Sequence, residues 1–172
     1  MAIILDGKKL SETINSEIAS EVKKLIDSSL PVPGLAVIIV GNNPASKVYV
    51  ASKKKACAKA GIYSLEVALE ENITQEKLIA EIQKLNDDNK INGILLQLPL
   101  PSHLDENAAL GAISPEKDVD GFHPINVGKL YIGLDTFVPC TPKGIIEILK
   151  RGLEVRQQGI RPKTRMVGHS GY

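Results

Sequence analysis

The residues best suited to do chemistry lie in one stretch, Ser46–Gly61, SKVYVASKKKACAKAG. At helical period Tyr49 and Lys53 are i,i+4 neighbours, which sets an aromatic ring beside an amine. An amine packed against apolar surface sheds the hydration of its charged form and titrates closer to neutrality, where it can act as an acid or a base. Val48, Tyr49, Ser52, Ala56, Cys57 and Ala60 can share one helical face in this reading. Lys47, Lys53, Lys54, Lys55 and Lys59 equally fit the solvated side of an ordinary surface helix, so the stretch alone leaves both readings open.

The elements needed to position this stretch follow from the pattern on either side of it. Asp6-Gly7 opens an amphipathic helix with Leu10, Ile14, Ile18, Val22 and Leu25 at helical spacing, after a short strand-like run at Ala2–Leu5. Pro31, Pro33 and Gly34 end that helix and lead into LAVIIV, residues 35–40, an unbroken apolar run suited to a parallel strand covered on both faces. The lysine-bearing helix therefore starts where a buried strand ends. Tyr63–Leu69 reads as a second strand and Thr74–Asn89 as a second helix capped by Thr74, with Gly93–Gln97 as a third strand. The alternation predicts an α/β fold: a three-layer α-β-α domain with a mostly parallel sheet, whose ligands gather at the carboxyl ends of the strands.

Gln97 falls at such an end, followed by Leu98-Pro99-Leu100-Pro101, whose prolines hold the backbone extended. A short helix over Leu104–Ala112 leads to the polar loop Ser114–Gly121, which contains Asp120. By themselves, Gln97 is a strand-end hydrogen-bonder and Asp120 a turn residue before Gly121. A final helix is expected through Lys150, with Thr141 as its cap and Pro142 at its first position. Its N-terminus could favour an anionic group or be a plain structural cap. His103 and His123 match no role and read as surface loop histidines.

Composition bounds the class of molecule. With 43% hydrophobic and 24% charged residues, the 172-residue chain can bury one sizeable core but is too short for two ordinary domains. Trp is absent and aromatics make up 3%, so that core must be aliphatic. A net charge of +1 gives no global attraction to nucleic acid or acidic surfaces. Cys57 and Cys140 lie far apart without metal-ligand spacing, which indicates neither a disulfide framework nor a metal site. No stretch approaches the length that spans a bilayer, and MAIILDGKK has only a short apolar run. A reduced, cytoplasmic protein, neither exported nor membrane-bound, is expected.

Four motifs in fixed order resemble the bifunctional methylenetetrahydrofolate dehydrogenase/methenyltetrahydrofolate cyclohydrolase family: S-x-x-Y-V-x-x-K-x-K with Gly61 closing the helix, G-I-L-L-Q-L-P-L-P, P-E-K-D-V-D-G-F and P-C-T-P-K-G. The resemblance covers roughly residues 1–150, which corresponds to the family's tetrahydrofolate-binding catalytic domain. It implies that Lys53 is the catalytic lysine, Tyr49 a ring-contacting residue and Gln97 the glutamine that orients the lysine. It implies also that Asp120 binds the pterin and that Leu98 and Pro99 line the substrate. An ionised carboxylate is acceptor-only and can take the adjacent N–H donors of a pterin as a pair. The implied activity is oxidation of methylenetetrahydrofolate with NADP and hydrolysis of the methenyl product to formyltetrahydrofolate, in a homodimer.

The resemblance weakens after Lys150. The family continues into a Rossmann-type NADP domain, of which residues 151–172 would be only a poorly ordered remnant in a truncated chain. Gly168, His169 and Ser170 match the start of its cofactor loop, with histidine where the family usually has arginine. A mostly uncharged histidine is a poorer phosphate partner than a guanidinium. Glu154–Arg165 has too few large aliphatics for a buried strand, and the six basic residues of Lys150–Arg165 lack the interleaved aromatics of a nucleic-acid platform. Dehydrogenation is accordingly the doubtful step and hydrolysis the better preserved one. The alternative is a non-catalytic folate-binding or inactive fragment.

Overall fold

The computed structural model describes residues 5–157, with side chains as far as 151. Six helices and three strands follow in the order α1 (Gly7–Asp27), β1 (Gly34–Val40), α2 (Pro44–Ala60), β2 (Tyr63–Leu69), α3 (Gln75–Asp87), β3 (Gly93–Leu96), α4 (Glu106–Ala112), α5 (Pro124–Tyr131) and α6 (Cys140–Gln157). The three strands form one parallel sheet in the order β2-β1-β3. This is the expected α/β class. Of the strand-like run expected at the N-terminus, residues 2–4 lie outside the described residues.

The sheet is sandwiched because β1 is apolar on both faces. Ala36, Ile38 and Val40 pack with Ile94 and Leu96 against Leu78, Ile82 and Leu85 of α3 and Ala109 of α4. Val37, Ile39 and Leu95 face the other way, against Val50 of α2. Local chemistry starts each helix. Asp6, Asn43, Thr74 and Asp105 cap α1 to α4 by accepting first-turn N–H groups, and Gly61 ends α2 in the left-handed conformation at φ 76°.

One expectation is corrected, and two findings extend the pattern. On α2 the packed line is Ser46, Val50, Cys57 and Ala60 with Lys53 half-buried, whereas Val48 and Tyr49 are 69% and 62% exposed. Small residues on that line let the helix approach the sheet, and Tyr49, one residue before Val50, is turned about 100° away from it. On α1, Val22 is the buried member of the five apolar positions, because this helix rests on α2 and α6 rather than on the sheet. The third concerns α5, a helix beyond those expected from apolar periodicity. Its start carries a signal, since Pro124 sits in the first turn directly after the cap residue His123, and Gly133 follows the end at φ 78°.

The last helix also differs from expectation at both ends. Lys143 N–H donates to Pro139 O at 3.1 Å, so Thr141 and Pro142 lie inside the first turn, where a missing N–H costs little. At the other end it continues past Lys150 to Gln157. Arg151 makes this extension part of the packed structure, pairing with Glu147 one turn back and with both carboxylate oxygens of Glu17 on α1, at 2.8 and 3.0 Å. Those bonds lower the Glu17 pKa and raise that of Arg151.

Stability should therefore rest on the α3 side of the sheet, where Ile82 is fully buried. Ile82→Ala is expected to cost about 2–5 kcal/mol. Urea denaturation at constant slope would show it; a change below about 1 kcal/mol would place the main core elsewhere.

Candidate active site

The site is built where β1 and β3 end. Gln97 N–H donates to Ile38 O at 2.8 Å, continuing the β1–β3 ladder one residue beyond the strand. That rung fixes the direction in which the Gln97 side chain leaves the sheet. Its Nε2 donates to Leu98 O at 2.8 Å, so its Oε1 is left to face α2, where it accepts from Lys53 Nζ at 3.2 Å. Lys53 reaches that point because it follows Val50 by three residues on the packed line of α2. Its ammonium also lies 5.7 Å from the centroid of the Tyr49 ring, within cation–π range.

Asp120 arrives from a separate part of the chain. Ile94 N–H donates to Lys117 O at 2.7 Å, and Asp118 makes a parallel bridge with Ile94, so residues 117–118 occupy a strand position beside β3. Gly93 allows the approach, since a Cβ there would stand 2.4 Å from Val119 Cγ1. Lys117 anchors the segment by donating to the carbonyls of Leu85, Asn86 and Asp88 at the end of α3, at 3.1, 2.6 and 2.9 Å. The chain then turns at Gly121, φ 69°, where a Cβ would meet Phe137 O at 2.7 Å.

Burial raises the Asp120 pKa, the positive charge of Lys53 draws it down, and the negative charge of Asp118 pushes it up. Lys53, Gln97, Leu98 and Asp120 are half-buried, and Pro99, joined to Leu98 by a cis peptide, is exposed beside them. With Tyr49 exposed as well, the six candidate substrate-binding residues border an open surface at the carboxyl end of the sheet. Hollows of about 840 and 710 Å³ lie elsewhere, at Pro31–Pro33 and along α1, with no chemistry comparable to that of Lys53.

Other candidates separate from the site. Cys57 lies on α2, but burial pushes its thiol up, which disfavours the thiolate a nucleophile needs. His103 is exposed, with Nε2 2.9 Å from Ile73 O. His123 is not the surface histidine expected: it is buried, and its Nδ1 accepts from Ile125 N–H as the cap of α5. Gly168, His169 and Ser170 lie outside the described residues. Among the described residues no cluster of His, Cys, Asp and Glu could hold a metal, and no helix is long and apolar enough to cross a membrane.

A parallel sheet whose strand ends gather an amine, an amide and a carboxylate has the architecture of an α/β enzyme domain for small polar ligands. The chain belongs to the tetrahydrofolate dehydrogenase/cyclohydrolase family, whose catalytic-domain profile matches residues 5–120. It is 59% identical over 155 residues to the bifunctional protein FolD of Acetivibrio thermocellus, covering 90% of this chain and 54% of that protein. The crystal structure of the Campylobacter jejuni bifunctional enzyme FolD, a methylenetetrahydrofolate dehydrogenase/cyclohydrolase, superposes with TM-score 0.84 at 51% identity, over 87% of this chain and 53% of that one. The Trypanosoma brucei enzyme, solved with NADP and an inhibitor, gives 0.82 at 40% identity, over 87% of this chain and 52% of that one. The chain thus spans about half the length of the relatives it matches.

The raised Asp120 pKa has a signed consequence. The folded protein holds this proton more tightly than the unfolded chain, so stability falls as pH rises from the unfolded carboxyl range through the folded value. Asp120→Asn cannot ionise and should lose that decline. Urea midpoints of the two chains, from roughly pH 3 to pH 7, should diverge in favour of the variant as pH rises; parallel curves would contradict the shift.

Proposed function

We propose that this chain binds a one-carbon derivative of tetrahydrofolate at the open surface and hydrolyses its methenyl form to formyltetrahydrofolate. The observation that carries this reading is the Lys53–Gln97 hydrogen bond at 3.2 Å, with Asp120 near enough for the lysine charge to act on its carboxyl. Asp120 accepts paired N–H donors of the pterin, and the exposed ring of Tyr49 packs on the ligand. Leu98 and Pro99 give it an apolar edge. These contacts place the bridging carbon near Lys53.

The balance of the reaction assigns the proton work. Water adds to the methenyl carbon as a C–O bond forms and gives up one proton to solvent. The resulting hydroxyl-bearing carbon collapses to the formyl group as one C–N bond breaks; the Lys53 ammonium gives a proton to the departing nitrogen and takes one back from the hydroxyl. Overall, the methenyl cation and water give formyltetrahydrofolate and one proton. Gln97 aims the lysine because its own amide is held by Leu98 O.

Oxidation of methylenetetrahydrofolate is proposed for the longer relatives' architecture, with NADP as hydride acceptor. No described residue is assigned to NADP here. In the β1–α2 turn, Asn43 Oδ1 already accepts from Ala45 and Ser46 N–H, so those amides do not form a free cradle for a pyrophosphate. No step is therefore routed through the dinucleotide. A cytoplasmic setting accords with the two free cysteines, Cys57 and Cys140.

The decay of methenyltetrahydrofolate absorbance tests the reading, with a buffer blank because the substrate also hydrolyses unaided. The 172-residue chain should exceed the blank, and Lys53→Ala should remove at least about 100-fold of the catalysed rate, as expected for loss of a general acid–base group. Folded chain at the blank rate would exclude hydrolysis. Ligand-induced stabilisation without turnover would leave a folate binder.

A further inference from the structure

We propose that Asp118 is the positioning residue for Asp120, holding the loop from 118 to 123 closed so that the Asp120 carboxylate faces Lys53. Asp118 is 2% exposed, and its Oδ2 accepts from His123 N–H at 2.8 Å and from Asn126 Nδ2 at 2.9 Å. The first bond joins the two ends of the turn on which Asp120 sits. The second ties that turn to α5. Asn126, also 2% exposed, donates to Pro115 O at 2.8 Å and accepts from Thr136 Oγ1 at 2.9 Å.

A buried carboxylate without close hydrogen bonds is expensive, so such a group is retained where its donors are held in place. Here both donors belong to the segment that follows Asp120, which makes the bonds a clasp across the residue rather than a distant support. Asp120 itself accepts no hydrogen bond from a described residue's side chain or backbone. Its direction is set by the backbone on either side. Lys117 and the Ile94 bridge hold the approach to the turn, and Asp118 holds the exit.

The test measures whether Lys53 and Asp120 still sense each other, which needs no folate activity. Carboxyl NMR of the full chain would follow Asp120 titration with and without Lys53→Met. In the parent, removing the lysine charge should move the midpoint upward. In Asp118→Ala the same substitution should move it by less than half as much, whereas Asp118→Asn, which keeps an acceptor for His123 N–H, should restore most of the response. An equal response in the parent and Asp118→Ala would overturn the proposal. Should Asp118→Ala not fold, Thr136→Val removes the outer bond to Asn126 and should reduce the response in the same direction; an undiminished response there would overturn it too.

A second arm rests on the folate reading. Asp118→Ala should raise KM for methenyltetrahydrofolate about tenfold, the loss of one well-placed charged hydrogen bond, with kcat changed less than threefold because the proton-transferring lysine is untouched. A response lost in Asp118→Ala, with no turnover in the parent, would refute hydrolysis and leave the positioning role standing.

Discussion

The pairing of β1 with β3 is the constraint on which the rest depends. It is a parallel ladder that ends one residue late, with Gln97 N–H on Ile38 O. That last rung decides where Gln97 projects, and Gln97 in turn receives Lys53 from a helix packed on the other strand. The two faces of β1 carry separate apolar clusters, so shifting its register would disturb α2 and α3 together. The rigidity of the ladder is thereby transmitted to a lysine side chain that would otherwise have several freely rotating bonds.

The carboxylate side of the site is held differently. Residues 117–118 borrow a place beside β3 without forming a strand of their own, and charged or polar side chains do the anchoring. Lys117 donates to three carbonyls at the end of α3, an arrangement favoured by the negative end of the helix dipole. Asp118 and Asn126 then link the loop to α5. A hydrogen-bonded loop of this sort can place a carboxylate close to a lysine while leaving its own oxygens free for a ligand.

Away from the sheet the packing is thinner. Ile125, Leu130, Ile132, Ile145 and Ile146 of α5, α6 and their connection are each 40% or more exposed. These helices gain little from burial among the described residues, and ion pairs such as Arg151–Glu17 do part of the joining between α1 and α6. Exposed pairs of this kind are individually weak, so α6 is held less firmly than the helices against the sheet.

Much of this was readable in the residues. The apolar run 35–40, the Thr74 cap and the spacing of Tyr49 and Lys53 predicted strands, helices and an i,i+4 pair that the fold contains, because periodicity and capping are local. The four motifs carried the family. What stayed hidden depended on contacts between distant segments: which face of α2 packs, why Lys53 meets Gln97, how Lys117 and Asp118 seat Asp120, and that His123 is a buried cap. Sequence by itself determined the element types, because each follows from backbone preference and hydrophobic period within a few turns. Only the tertiary structure decided the phase of α2 and the placing of Asp120, because both are chosen by close packing and hydrogen bonds between residues tens of positions apart.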